Sequence, residues 1–159
     1  MARRLRDLTR RLKTIFVVND RVAPGLLSQA DAIHLGHEDL SIKEVRSLVG
    51  ERMLIGRSTH SLSEAEAAVE DGADYIGVGP IFSTPTKPGY PAVGLELIRQ
   101  VQSVIRIPWV AIGGIDLESL PLVLSAGATR VAVVRAVAGA SDPREAARSL
   151  KRLLIGQRI

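Results

Sequence analysis

The chain has 159 residues, 46% of them hydrophobic, which suffices for the core of one domain and leaves little room for a second independent one. Twenty-one basic against seventeen acidic residues give a net charge of +4, compatible with an anionic ligand, whereas an aromatic content of 3% removes the stacking platforms of single-strand binders, so no nucleic-acid partner is expected. Cysteine is absent, which excludes disulfides, thiolate metal sites and cysteine nucleophiles, and fits a cytoplasmic location.

The opening MARRLRDLTRRLKTIF is basic but lacks the apolar central region and small-residue cleavage site of a secretory signal. Leu5, Leu8 and Leu12 recur at helical spacing, so a helix is predicted with Arg3, Arg4, Arg6, Arg10 and Arg11 mostly on a solvated face. No uninterrupted apolar stretch is long enough to span a membrane, and no membrane partner is expected.

Short apolar runs then recur as TIFVV, AIHLG, MLIGR, DYIGVG, PWVAIG and RVAVV, with helical periodicity between them. SIKEVRSLVG predicts a helix stopped by Gly50. SLSEAEAAVEDG predicts one with Ser63 as N-cap, Glu66 three residues on and Gly72 as the stop. DLESLPLVLSAGA runs from an acidic start to Gly127, with Pro121 in its first turn. DPREAARSLKRLLI has Asp142 as N-cap, Pro143 at the first helical position and an apolar face of Ala146, Leu150, Leu153 and Leu154.

Near-continuous apolar strands alternating with helices predict a parallel sheet covered on both faces. Two architectures meet that description, a doubly wound sheet and a (β/α)8 barrel, and both gather ligands at the carboxyl ends of the strands. Those ends carry Asn19 and Asp20, residues 34 to 39, residues 58 to 60, the segment GPIFSTPTKPGY, Gly113 with Gly114, and Arg135. Six strands are predicted, whereas a closed barrel has eight and usually about 200 residues or more. The deficit falls at the amino end, because a single helix precedes the first strand.

Asp20 and Asp39 each follow a strand, where one reading is a turn or N-cap residue and the other a hard oxygen site suited to Mg2+. His34, flanked by Ile33 and Leu35, reads as a satisfied buried histidine. Gly113 and Gly114 either form a tight turn or let backbone amides approach a phosphate, and Arg135 at the next strand end favours the phosphate. Lys87 is either a solvated lysine or a counter-charge for an anion, and Thr84 and Thr86 are turn formers or ligands.

The series VVNDRV, HLGHEDL, IGRSTHS, GADYIGVGPIFSTPTK, VAIGGI and GATRVAVVRA resembles the thiamin phosphate synthase family, in order and spacing, over nearly the whole chain from Lys13 onward. The resemblance implies a single domain of the TIM (β/α)8-barrel class, N-terminally incomplete, with about six of the eight βα units. It also implies Mg-dependent coupling of hydroxymethylpyrimidine diphosphate with thiazole phosphate, releasing diphosphate. Asp20 and Asp39 fall on the family's Mg2+ ligands; Asn19, Ser58 and Lys87 fall on the pyrimidine diphosphate site, with Lys87 and Ser58 the catalytic candidates. Thr84, Pro85 and Thr86, with Gly114, Val134 and Arg135, fall on the thiazole phosphate site. Arg135 stands where the family often has serine, and the family's Gln-x-Arg-x-Lys strand has no counterpart before VVND, so weak or no turnover by the chain alone is expected. The alternatives are an impaired phosphate-binding remnant that self-associates through its open sheet edges, and a thiazole tautomerase of the same fold.

Overall fold

The computed structural model describes residues 1–85, 89 and 91–156. All six predicted strands are present: β1 (Val17–Asn19), β2 (Ala32–Leu35), β3 (Leu54–Thr59), β4 (Tyr75–Val78), β5 (Trp109–Ile112) and β6 (Val131–Ala132). Helices α1 (Ala2–Arg11), α2 (Val22–Leu27), α3 (Ile42–Val49), α4 (Leu62–Glu70), α5 (Gly94–Val104), α6 (Leu120–Ser125), α7 (Arg135–Ala138) and α8 (Pro143–Gly156) precede, separate and follow them.

Every neighbouring pair is parallel and the strand order is β1-β2-β3-β4-β5-β6. A doubly wound sheet reverses its strand order at a switch point, and this sheet has none. The order is that of six consecutive units of an α/β barrel, with β1 and β6 at its two ends among the described residues.

Alternation along the strands separates two faces. Ile33, Leu35, Ile55, Ile76, Val78 and Ala111 are fully buried and form one cluster with helix residues Val45, Ala65, Ile98, Val101, Leu120 and Val123. The intervening positions, among them His34, Ser58 and Gly77, face away from the helices and line a cavity.

Three of the helices, α3, α4 and α8, start at a side-chain cap. Ser41 and Glu44 form a reciprocal capping box at α3, and Asp142 Oδ1 accepts from the amides of Arg144 and Glu145 at the start of α8, both at 3.0 Å. At α4 the cap is Ser61, whose hydroxyl accepts from Glu64 N at 3.1 Å, rather than Ser63. Both serines have a glutamate three residues on; the end of β3 at Thr59 decides between them by placing Ser61 in extended backbone at the turn.

Two carboxylates pin the register of adjacent units. Asp74, just before β4, accepts from Ile55 N at 2.7 Å and from Arg46 Nη2 of α3 at 2.6 Å. Asp31, just before β2, accepts from Phe16 N at 2.8 Å and from Arg6 of α1. The second pin inverts the expected seating of α1. Arg6 turns toward the sheet with a side chain only 14% exposed, while Leu5, Leu8 and Leu12 are 42%, 47% and 65% exposed. A half-buried carboxylate partner outweighs the apolar stripe in orienting this helix, and Arg10 adds a hydrogen bond to Gln29 at 2.7 Å.

The Arg6 guanidinium and the Phe16 amide hold the Asp31 carboxyl below its ordinary value of 3.8. A depressed folded-state pKa contributes stability above the unfolded value and loses it as pH falls through the folded one. Urea unfolding should therefore show stability declining on acidification below about pH 4. Asp31→Asn should lower stability at neutral pH by about 1 kcal/mol and flatten that acid limb; an unchanged limb would contradict the pin.

Candidate functional site

A cavity of about 600 Å3 opens at the carboxyl ends of the strands. Each strand contributes one wall residue: Asn19, His34, Ser58, Gly77, Ile112 and Ala132. Ser83 and Thr84 line it from the loop after β4, residues 113–116 from the turn after β5, and residues 133–136 from the turn after β6.

Backbone hydrogen bonds stitch two of these segments together. Ile81 N donates to Ile112 O at 2.9 Å and Phe82 N to Gly113 O at 3.0 Å, while Val93 N and Gly94 N return to Pro80 O and Ile81 O. The approach leaves no space for a side chain at the turn. Gly114 has φ +66, and a Cβ there would meet Phe82 Cβ at 2.7 Å and Ser83 O at 2.9 Å. Gly113 and Gly114 thus form a tight turn and also bring main chain to the cavity wall.

His34 bridges two side chains inside the sheet. Its Nδ1 lies 3.1 Å from the Tyr75 hydroxyl and its Nε2 3.0 Å from Ser58 Oγ, so the imidazole is satisfied on both sides. Ser58 is thereby held at the cavity wall by His34, which Tyr75 holds in turn. His60 Nδ1 is hydrogen-bonded to the Gly79 carbonyl, and His60 N donates to Glu64 Oε2 at 2.8 Å.

Beside the mouth, Asp20 adopts φ +62, a conformation that aspartate tolerates better than most residues; its amide donates to His34 O at 2.8 Å. Asp39 closes a turn in which its Oδ2 accepts from Gly36 N at 2.6 Å. Both carboxylates approach Gly36: a Cβ built there would lie 3.2 Å from Asp39 Oδ2 and 3.9 Å from Asp20 Oδ1. Among the described residues no cluster of three His, Asp or Glu side chains is arranged to hold a metal. A pair of carboxylates over a glycine still suits Mg2+, which retains waters and takes further oxygens from substrate phosphates.

Of the residues singled out in the sequence, Asn19, Ser58, Thr84, Gly114, Val134 and Arg135 line the cavity. Arg135 is exposed and makes no salt bridge among the described residues. Pro85 is exposed and is not part of the wall. Thr86 and Lys87 lie outside the described residues. Sequence reasoning missed Tyr75 as the partner of His34, and Ile112 and Ala132 as wall residues. The two-residue alternation of Tyr75 with Gly77 on β4 was the available signal. Asp116 also lines the cavity, but its carboxylate serves the turn before α6: it accepts from Ser119 N at 2.9 Å and Glu118 N at 3.1 Å, which holds its pKa below the ordinary range.

A family model described as thiamine monophosphate synthase matches residues 1–137. The chain is 54% identical over 143 residues to the thiamine-phosphate synthase of Gloeobacter violaceus, covering 90% of this chain and 42% of that protein. It is 49% identical over 154 residues to that of Mycobacterium sp. (strain JLS), covering 96% of this chain and 68% of that one. It thus spans less than half the length of the Gloeobacter and Synechococcus relatives it matches. Among solved structures, thiamine phosphate pyrophosphorylase from Pyrococcus furiosus superposes with a TM-score of 0.92 at 37% identity, over 99% of this chain and 76% of that one.

Burial pushes the Tyr75 phenol up from 10.0 to about 12. Between those values the unfolded chain releases a proton that the folded chain keeps, so stability falls as pH rises across the window. Denaturant midpoints at about pH 10 and 11.5 should show this fall in the native protein and a shallower one in Tyr75→Phe. Equal slopes would mean that Tyr75 is not shielded.

Proposed function

The chain belongs to the thiamine monophosphate synthase family, and on that premise we propose that its site couples hydroxymethylpyrimidine diphosphate with thiazole phosphate to form thiamin phosphate and diphosphate. The observation that carries the reading is the approach of both Asp20 and Asp39 to Gly36, together with a cavity walled by Asn19, Ser58, Thr84, Gly114, Val134 and Arg135. A thiazole tautomerase has no diphosphate to expel and no use for that pair of carboxylates. A cytoplasmic setting is part of the same proposal, since the substrates are charged phosphate esters.

In this reading Asp20 and Asp39 hold Mg2+, which when bound offsets the negative charge of a departing diphosphate. Asn19 and Ser58 orient the pyrimidine, with the Ser58 hydroxyl kept in place by His34 and Tyr75. Lys87 is assigned from sequence as the cationic partner of the diphosphate. The thiazole phosphate is assigned to Thr84, the main chain at Gly114 and Val134, and the Arg135 guanidinium, with Thr86 and Pro85 added from sequence. The carbon–oxygen bond to diphosphate breaks with its electron pair leaving on oxygen, and the methylene becomes cationic on the electron-rich pyrimidine. The lone pair of the thiazole nitrogen then forms the new carbon–nitrogen bond. No protein nucleophile takes part, in keeping with a chain without cysteine.

The same proposal includes self-association. Leu5, Leu8, Leu12, Ile15 and Val17 are each more than 40% exposed and run from α1 to β1, an edge strand among the described residues, a combination that favours pairing with a second copy.

With both substrates and Mg2+, thiamin phosphate followed by chromatography should accumulate more slowly than with the longer Mycobacterium relative. Asp39→Asn should reduce the rate at least tenfold. No product at saturating substrate would remove the synthase reading for this chain. Sedimentation velocity should show a concentration-dependent dimer that Leu8→Glu converts to monomer; a monomer at every concentration would remove the self-association.

A further inference from the structure

The turn that carries Asp39 is bridged by a side chain from the neighbouring strand. Arg57 lies on β3 between the cavity-lining Ser58 and the glycine at position 56, so its side chain leaves the sheet on the opposite face and reaches over the β2–α3 turn. Its Nη1 donates to the Leu40 carbonyl at 3.2 Å and its Nη2 to the His37 carbonyl at 3.3 Å. Those carbonyls bracket Glu38 and Asp39. From just before the bracket, Gly36 N donates to Asp39 Oδ2 and Asp39 N returns to Gly36 O at 3.3 Å.

The other half-buried arginines behave differently. Arg6 and Arg46 each meet a carboxylate, whereas Arg57 forms no salt bridge among the described residues and spends its guanidinium on backbone. A planar fork with separate donors suits two carbonyls flanking a short turn; an ammonium is a single point charge and cannot span them equally well.

We propose that Arg57 is a positioning residue for the proposed cation site: it clamps the backbone from His37 to Leu40 and so keeps the Asp39 carboxylate beside Asp20 over Gly36. The role rests on the reading of Asp20 and Asp39 as a divalent-cation pair, and it has a signature that charge alone does not produce. If Arg57 acted only through its positive charge, removing it would tighten cation binding between two carboxylates. A clamp acts in the opposite sense.

Mn2+ is the probe, with the free ion measured by electron paramagnetic resonance in the whole chain. The native protein should bind it and Asp39→Asn should lose it. Arg57→Ala should bind roughly tenfold more weakly, with Arg57→Lys in between. In parallel, hydrogen exchange of the Gly36 and Asp39 amides should accelerate in Arg57→Ala while the amides of Ile33 and Ile55 keep their protection. Unchanged or tighter Mn2+ binding in Arg57→Ala, with unchanged exchange at Gly36 and Asp39, would overturn the clamp, while the loss in Asp39→Asn would leave the cation pair standing. No Mn2+ binding by the native protein would overturn the cation pair and the positioning role with it. Should Arg57→Ala not fold, Arg57→Lys decides alone, because it keeps the charge and loses the fork: native-like affinity would overturn the clamp.

Discussion

The site depends on a main-chain seam between two consecutive units. The loop after β4 is tied to the turn after β5 through the hydrogen bonds of Ile81 and Phe82 to Ile112 and Gly113, and the contact is so close that a glycine with positive φ must sit opposite Phe82 and Ser83. Because the partners are backbone groups, the seam does not depend on which side chains occupy the loop. It sets the height of Ser83 and Thr84 against Gly114, and so the shape of this wall of the cavity.

The opposite side of the site is organised by charge. Asp31 and Asp74 each take a backbone amide of the preceding strand region and an arginine from a helix, the same device used two units apart, and Arg57 uses carbonyls where those arginines use carboxylates. Such partly buried pairs contribute little net stability beyond what apolar packing would supply, but leaving one partner unmatched is costly, so they act chiefly on register. Register matters here because a one-residue slip would exchange Ser58 with Arg57 and turn the cavity wall into helix-facing surface.

Much of this was legible in the sequence because it rests on local signals. The six strands follow from runs of β-branched and apolar residues, and the stops at Gly50, Gly72 and Gly127 coincide with glycines of φ +64, +91 and +111. The site residues at strand ends follow from the general placement of ligands in parallel sheets. What was not legible depends on distant partners. Nothing near Arg6 announces that Asp31 will turn it inward and leave Leu5, Leu8 and Leu12 outside, and nothing near His34 names Tyr75, 41 positions away. The choice between Ser61 and Ser63 as a helix cap was open for a related reason: the spacing is identical, and only the pairing of β3 with its neighbours fixes where the strand ends. The doubly wound alternative likewise fell only when strand order was known.

The uninterrupted strand order also bears on how the chain reaches this state. Among the described residues every strand pairs with the strand before or after it in sequence, so each pairing closes a loop of one βα unit. The entropy of loop closure grows only slowly with loop length, and these closures are all of similar, modest size. Pairings that are short in sequence keep contact order low, the property that favours fast folding.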